Sequence, residues 1–352
     1  MGLGKKKILS QGSSAFVAAD NFAPTLYTGN ATARSISTGF APDLVWIKAR
    51  NFASSNALYN SVSTAPYYLS SNTSSAELNA TTSLTSFDSN GFSLGDDSGL
   101  WGVNASGKTY VAWCWKGGGA ASSNTNGTIT SSVSANVAAG FSIVKWVGTY
   151  ANATVGHGLS SAPELIIAKN LDTAGGSGTY DGWPVYASAI GNDQVVTLNS
   201  SAEKTSSSGT WGSTTPTSTV FTVQDNNDNN KSGDNIIAYC FTSITGYQKI
   251  GSYTGSSLEH SVNIGFAPRF IMIKKYDGSG SWRMYDSARD GTSVPRRVNH
   301  NLQANEASAE YDSTGDSAGY FHITSTGLLF YTGNTNPDVN SNGSNYLYLA
   351  IA

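Results

Sequence analysis

The loop from Asp225 to Asp234 is the densest cluster of potential metal ligands in the sequence. It reads Asp-Asn-Asn-Asp-Asn-Asn-Lys-Ser-Gly-Asp, so Asp225, Asp228 and Asp234 could offer carboxylate oxygens to a calcium ion. The loop lacks the glycine at position six and the glutamate at position twelve that an EF-hand loop requires. Two interpretations follow, a calcium site or a polar hairpin, and the missing positions favour the hairpin.

Two tryptophans lie in glycine-flanked segments that could present an aromatic ring to a ligand. Trp101 lies in Ser98-Gly-Leu-Trp-Gly102, and Trp211 lies in Ser208-Gly-Thr-Trp-Gly212. An exposed indole face there could stack on a sugar ring. The alternative, which we rank higher, is that both rings pack locally or at a contact between subunits.

No arrangement of residues in the sequence specifies a catalytic mechanism. The four histidines, His157, His260, His300 and His322, show no metal-ligand spacing and no nucleophile–base pattern. Loops could still bring together two carboxylates for glycoside hydrolysis, and the available residues are Asp96, Asp97, Asp181, Asp286 and Glu310. Nothing selects a pair among them, so we predict no catalytic residues and a protein that is not an enzyme.

The elements that must position these loops follow from a motif that occurs three times. The copies are Gly39-Phe-Ala-Pro-Asp-Leu-Val-Trp-Ile-Lys48, Leu159-Ser-Ser-Ala-Pro-Glu-Leu-Ile-Ile-Ala-Lys169 and Gly265-Phe-Ala-Pro-Arg-Phe-Ile-Met-Ile-Lys274. A proline followed by a short apolar run predicts a turn that leads into a buried strand, which we call the anchor strand. The lysine always lies six residues after the proline. These three lysines could contact a ligand, but we favour a structural role in which each ammonium reaches solvent.

Composition predicts an all-β fold. Only 12% of the residues are charged, about half the usual share, and the formal net charge is -3. Gly, Ser, Thr and Asn take the place of charges, and these residues favour turns and strands over helices. The charge gives no case for nucleic acid or an anionic membrane as a partner, and no apolar run approaches membrane-spanning length. Cys114 and Cys240 are interpreted as small buried residues and not as a disulfide.

The spacing of the motifs predicts three tandem β-sandwich or jelly-roll-like repeats with long polar loops. The predicted boundaries are an N-terminal arm over 1–24, section one over 25–120, a linker over 121–139, section two over 140–245 and section three over 246–352. Constant motifs with variable gaps indicate a fixed framework of strands with loops of free length. The sequence does not distinguish three separate lobes from one body with a pseudo-threefold arrangement.

The first residues lack periodicity and begin with the basic cluster Lys5, Lys6 and Lys7. They could be a frayed terminus, or an attachment arm that becomes ordered on a partner protein. We adopt the attachment arm for residues 1–24. The polar stretch 11–14 interrupts the apolar core that a signal peptide needs, so secretion is not expected.

Three of these patterns together resemble a known family. The motif ending at Lys48, the closing segment Tyr110-Val-Ala-Trp-Cys-Trp-Lys116 and the turn Phe87-Asp-Ser-Asn-Gly-Phe-Ser-Leu94 are similar to a repeat family of marine tailed-phage virion proteins. The resemblance covers nearly all of the chain after residue 25. It implies a lectin-like β-sandwich module and a location in the virion, and it implies no catalytic residues.

We therefore expect a non-enzymatic virion protein, a tail fibre or surface appendage that serves assembly and host attachment. Its expected partners are other virion proteins, bound through the arm, further copies of itself and a host-surface glycan. The alternatives are a capsid decoration protein, a carbohydrate-binding module and a tailspike that depolymerises polysaccharide. Apart from the possible calcium ion, no cofactor is expected.

Overall fold

The structure of the chain is a computed structural model that describes residues 16–97, 102–174, 182–313, 321–334 and 336–352. Antiparallel strands dominate these ranges, and helices are limited to single turns, which confirms the predicted all-β class. In the same ranges, no helix has the length and apolar character needed to cross a membrane.

Section one forms two facing sheets. A 3-10 helix, Ala18–Asp20, precedes its strands, which are β1 (Phe22–Thr28), β2 (Arg34–Ser37), β3 (Leu44–Ala49), β4 (Ala57–Asn60), β5 (Tyr67–Tyr68), β6 (Leu78–Asn79), β7 (Leu84–Asp88), β8 (Gly91–Leu94) and β9 (Thr109–Trp115). One sheet has the order β1-β9-β3-β4, the other has the order β2-β8-β7, and β5 pairs with β6.

Section two has a longer main sheet. Its elements are β10 (Ser122–Asn124), β11 (Ser131–Asn136), β12 (Phe141–Val147), β13 (Ala153–Gly156), β14 (Leu165–Asn170), β15 (Pro184–Ala187), β16 (Gln194–Thr197), β17 (Thr205–Ser206), α1 (Ser208–Trp211), β18 (Val220–Val223), α2 (Asn227–Asn230) and β19 (Asn235–Phe241). The main sheet has the order β10-β11-β12-β19-β14-β15-β16-β17, and β13 pairs with β18. The segment 121–139 therefore does not act as a linker, because β11 pairs with β12 and β10 pairs with β11, so both strands extend this sheet.

Section three again has two sheets. Its elements are β20 (Gln248–Thr254), β21 (His260–Asn263), β22 (Phe270–Lys275), β23 (Arg283–Asp286), α3 (Ser287–Asp290), β24 (Arg296–Val298), β25 (His300–Gln303), β26 (Tyr311–Asp312), β27 (Phe321–Thr324), β28 (Gly327–Phe330) and β29 (Asn345–Ile351). The sheet orders are β20-β29-β22-β23-β25-β26 and β21-β28-β27-β24.

The anchor strands β3, β14 and β22 occupy the same place in their sheets. Each pairs with the last strand of its section, in the registers Trp46↔Trp113, Ile167↔Tyr239 and Met272↔Leu349. A shared backbone constraint also appears at the start of β8 and β28, where Gly91 and Gly327 have φ of 153° and 152°. A Cβ atom there would lie 1.9 Å and 2.0 Å from a carbonyl oxygen of the neighbouring strand, so only glycine fits.

Alternate residues of each anchor strand face two different cores. Val45 and Ile47 of β3 point between the two sheets of section one, while Leu44 and Trp46 point to a core that all three sections share. Rings from different sections meet in this shared core, with centroid distances of 5.8 Å for Trp113 and Phe270 and 6.4 Å for Trp115 and Phe141. The three sections therefore form one body around a common apolar centre, which resolves the alternative that the sequence left open.

Candidate functional site

The anchor lysines do not reach solvent, and this corrects the expectation from the sequence. Lys48, Lys169 and Lys274 are all 0% exposed. Each ammonium donates to backbone carbonyl oxygens of a loop in another section, with Lys48 bonded to Ala307 (3.1 Å) and Ser308 (2.8 Å), Lys169 to Ser74 (3.0 Å) and Lys274 to Ser201 (3.0 Å). Desolvation lowers the pKa of each of the three lysines to about 8.

These contacts form a closed cycle: section one binds section three, section three binds section two, and section two binds section one. Backbone hydrogen bonds repeat the cycle two residues after each lysine, where Glu77 N donates to Leu171 O (2.8 Å), Lys204 N to Tyr276 O (2.9 Å) and Glu310 N to Arg50 O (2.8 Å). The anchor lysines are therefore structural, because they satisfy carbonyl groups of loops that would otherwise be buried without donors.

Two of the three carboxylates of the proposed calcium loop make other contacts. Asp225 is exposed, and Asp228 accepts a hydrogen bond from Gly182 N at 3.3 Å. Asp234 accepts from Thr173 Oγ1 at 2.6 Å and forms an ion pair with Lys231 at 3.3 Å. Desolvation acts to raise the pKa of Asp234, but these hydrogen bonds and the lysine lower it overall.

The backbone of this loop also differs from the hairpin that the sequence favoured. It forms the single helical turn α2, whose N-cap side chain, Asn226 Oδ1, accepts from Asp228 N at 2.8 Å. Among the described residues, no group of three or more His, Cys, Asp or Glu side chains could hold a metal ion. The geometry of the described chain therefore gives no support to calcium at this loop.

Trp211 is not available for sugar stacking. Its side chain ends the helical turn α1, is 1% exposed and packs edge-to-face on Tyr186, with ring centroids 6.1 Å apart. Burial of both ring faces is the reason the stacking interpretation fails here. The other predicted stacking residue, Trp101, lies outside the described residues, as do Asp181 and the arm residues Lys5, Lys6 and Lys7.

Two carboxylates considered for glycoside hydrolysis belong to a buried ion network between sections one and three. Asp286 accepts from Trp113 Nε1 at 2.9 Å and pairs with Arg289 at 2.6 Å. Arg289 also pairs with Glu310 at 3.0 Å, and Arg50 binds the same carboxylate at 2.8 Å. Burial alone would raise the pKa of Glu310, but the hydrogen bonds and charges of the two arginines lower it below its ordinary value.

Both cysteines are free and buried, which confirms their interpretation as small core residues. Cys114 lies in β9 and contributes to the inner core of section one, and Cys240 lies in β19 and contributes to that of section two. Burial raises the pKa of both thiols, so neither is an activated thiolate.

A cleft of about 390 Å³ opens in section one, between β4 and the loops that precede β7 and follow β8. This volume falls in the range of small-ligand sites, roughly 300–1,000 Å³. Its lining residues include Asn56, Tyr59, Tyr68, Ser83, Asp97 and Val103. The lining thus combines aromatic rings with a carboxylate, a hydroxyl and an amide.

Hydrogen bonds hold the carboxylate of Asp97 in place. Its Oδ2 accepts from Ser83 Oγ at 2.6 Å and from Val103 N at 2.8 Å. Its Oδ1 accepts no hydrogen bond from the described residues, and a Cβ at Gly102 would lie 2.5 Å from this atom. Glycine at position 102 therefore lets the loop approach Asp97 while Oδ1 keeps its lone pairs for another donor.

Tyr59 and Tyr68 form the aromatic side of the cleft. Their ring centroids are 5.6 Å apart, Tyr59 is 1% exposed and Tyr68 is half-buried. Burial raises the pKa of Tyr59 above its ordinary value, so its hydroxyl is neutral. The cleft thus offers part of an aromatic ring, neutral hydroxyls and one fixed negative charge.

The other sections bury the aromatic ring that packs on the matching tyrosine. Tyr186 and Tyr285 occupy the same third position of β15 and β23 that Tyr59 occupies in β4. Trp211 packs on Tyr186, and Phe321 packs on Tyr285 with centroids 5.0 Å apart. In section one the packed ring is the half-buried Tyr68 of the short strand β5, with centroids 5.6 Å apart, and the cleft lies beside it.

The amino-acid sequence does not reveal this cleft. Asp97 was among the available carboxylates, but Tyr59, Tyr68 and Ser83 gave no signal, since tyrosine recurs at this place in every section. Among the described residues, section one differs in that the ring packed on this tyrosine is only half-buried, and a sequence without its fold does not show how deeply a ring is buried.

Comparison with known proteins places the chain in a family without assigning it a function. No curated protein and no solved structure matches the sequence. One family does match, over residues 17–352, and its description is "Domain of unknown function (DUF7483)". Because this match includes every section of the fold, the chain belongs to the DUF7483 family.

Proposed function

We propose that the chain is a non-enzymatic structural protein of a tailed-phage virion, a tail fibre or surface appendage that takes part in assembly and host attachment. The closed cycle of contacts between the sections carries this proposal. Each buried ammonium joins two sections, and the shared apolar core joins all three, so one section separates only if both of its boundaries break. Such cooperative stability suits a protein exposed outside the cell on a particle surface.

The surface of the body supports a contact role. Several tyrosines are 40–50% exposed although they belong to a well-packed body, and these are Tyr67, Tyr150, Tyr311 and Tyr331. Tyrosine gives a large contact area at small conformational cost, and the surrounding Ser, Asn and Gly residues give adaptable hydrogen bonds. This composition is typical of surfaces that recognise other molecules.

Purified phage particles provide the test. We expect the chain to co-purify with intact particles, and cryo-electron microscopy or immunogold labelling to place it on the tail or another surface structure. Replacing Lys5, Lys6 and Lys7 by alanine should reduce incorporation into particles, while circular dichroism of the isolated variant stays unchanged. A chain that is absent from particles would overturn the proposal, and density on the capsid shell would favour the capsid decoration alternative.

One observation favours a second function, a carbohydrate-binding module that acts without a virion. The cleft beside Tyr68 and Asp97 is present in the isolated chain and needs no partner subunit. This function predicts sugar binding by a chain that does not associate with particles, so the particle experiment separates it from the first proposal.

A further inference from the structure

We propose that the cleft of section one binds one neutral sugar residue, with Tyr68 packed against the ring and Asp97 Oδ1 accepting a hydrogen bond from a sugar hydroxyl. Sugar binding in the cleft would give the proposed attachment role a ligand. The inference rests on that proposed function only where it assigns the sugar to a host surface. The binding itself is a property of the isolated chain.

The chemistry of the lining selects this class of ligand. A sugar presents a patch of C–H bonds and several hydroxyl donors, which match a partly exposed ring and a carboxylate oxygen with free lone pairs. Asp97 Oδ1 accepts no hydrogen bond from the described residues, while its other oxygen is held by Ser83 and Val103. The acceptor is therefore already oriented before a ligand arrives, which lowers the entropic cost of binding.

The charge of the cleft argues for a neutral sugar. Among the described residues that line it, Asp97 carries the only charge, and the rest are hydroxyl, amide, aromatic or small side chains. A sialic acid or uronic acid would place its carboxylate beside Asp97 without a cation to compensate, and like charges at short range repel. Neutral hexoses and N-acetylhexosamines avoid this repulsion.

The contrast with the other sections supports a binding role for the cleft. Trp211 and Phe321 cover the matching tyrosines of sections two and three. Both of these rings are 1% exposed, whereas Tyr68 beside the cleft is only half-buried and can contact a ligand. Section one combines this partly exposed ring with an oriented carboxylate.

Isothermal titration and saturation-transfer NMR on the purified full chain test the inference. The probes are glucose, galactose, mannose and N-acetylglucosamine, with N-acetylneuraminic acid, glucuronic acid and choline as charged comparisons. We expect millimolar affinity for at least one neutral sugar and much weaker binding of the charged probes. No binding of any neutral sugar, or tighter binding of choline or an acidic sugar, would overturn the inference.

Matched variants locate the site. In Asp97→Asn the amide oxygen can keep the hydrogen bonds from Ser83 and Val103, while the amide nitrogen replaces the acceptor by a donor, so affinity should fall about tenfold or more. Asp96→Asn makes the same charge change at the exposed neighbouring residue and should leave affinity unchanged. Tyr68→Ala should weaken binding, whereas Tyr67→Ala should not. Sugar affinity that is equal in Asp97→Asn, Tyr68→Ala and wild type would refute this location.

A blocking variant covers the case in which those variants unfold. Ala80 lines the cleft, and Ala80→Trp would put an indole beside Tyr59, as Trp211 lies beside Tyr186 in section two. We expect this variant to keep its fold by circular dichroism and to lose sugar binding. Retained binding in a folded Ala80→Trp protein would show that the sugar lies elsewhere. Association of the chain with particles is measured separately. A negative result for sugar binding therefore does not affect the test of the virion proposal.

Discussion

Lys48→Met is the most informative change to the body, because Lys48 is a buried charge that joins two sections. The Lys48 ammonium is 0% exposed and donates to the carbonyl oxygens of Ser54 (2.7 Å), Ala307 (3.1 Å) and Ser308 (2.8 Å). Three carbonyl acceptors match the three N–H donors of an ammonium. Methionine keeps much of the length and apolar volume of the side chain and removes only the donors and the charge.

Two opposing effects set the magnitude at neutral pH. Hydrogen bonds to a charged group contribute roughly 1.5–3 kcal/mol each, so losing three costs about 5–9 kcal/mol. Burial of the charge lowers the lysine pKa from 10.5 to about 8, and at about 1.36 kcal/mol per pKa unit its removal returns about 3.4 kcal/mol. The hydrogen bonds are the larger effect, so we expect Lys48→Met to lower the free energy of unfolding by about 1–6 kcal/mol.

The effect should grow as the pH rises. The pKa of Lys48 is lower in the folded chain than in the unfolded chain, so between about pH 8 and pH 10.5 the unfolded chain binds more protons at this residue. Stability from this group therefore rises with pH in that window, and below about pH 8 its contribution is constant. At about pH 9.5 the wild type should have gained about 2 kcal/mol that Lys48→Met cannot gain.

Urea unfolding of both proteins at neutral pH and at about pH 9.5 measures these differences. Taking the difference between wild type and variant cancels the tyrosines, which ionise in the unfolded chain near the top of this range. Lys249→Met in β20 is the control, because Lys249 is partly exposed, and we expect a change within about 0.5 kcal/mol. A Lys48→Met protein as stable as wild type, or a difference that does not change with pH, would refute the reasoning.

Three further changes probe the other contacts. Trp183→Phe removes the N–H that donates to Ser70 O at 3.1 Å, so urea unfolding should show a loss of about 1–3 kcal/mol, and an unchanged midpoint would contradict this role. Trp211→Ala should lose about 3–5 kcal/mol in thermal unfolding yet bind sugar as wild type does, and an unchanged thermal midpoint would contradict its core role. Glu310 has a pKa below its ordinary value, so its stabilisation is present above about pH 4.5 and disappears as the pH falls through the lower folded pKa. Glu310→Gln should be less stable than wild type at neutral pH, and its stability should fall less as the pH is lowered. If the stability of Glu310→Gln falls with pH as that of wild type does, Glu310 is excluded as the source of this loss.

The sequence contained good information on the strands. The anchor motif predicted a strand after Ala-Pro, and β3 begins at Leu44, two residues after the proline, with every residue buried. An uninterrupted apolar run, in contrast to an alternating one, is typical of a strand covered on both faces. The run from Leu44 to Ile47 therefore indicates a strand that is covered on both faces. The pattern alone does not show that the shared central core covers the second face.

The candidate site was much harder to predict. Lys48 finds two of its acceptors about 260 residues further along the chain, and no local pattern links residues at that separation. The cleft lies beside Tyr68, whose ring comes from the short strand β5 and contacts Tyr59, and no repeated motif of the sequence marks this contact. Trp211 was read as a loop residue because glycines flank it, but a single helical turn carries its ring into the core.

The hydrogen bond from Lys48 to Ser308 has a consequence for biosynthesis, because Ser308 is translated long after Lys48. While the ribosome is still making the middle of the chain, the first anchor strand exists but the carbonyl groups that receive its ammonium do not. The charge must then stay hydrated, so the strand cannot yet settle at its final depth. The body can reach its native packing only after the last third of the chain has emerged, and a ribosome that stalls before that point leaves an apolar face exposed to aggregation.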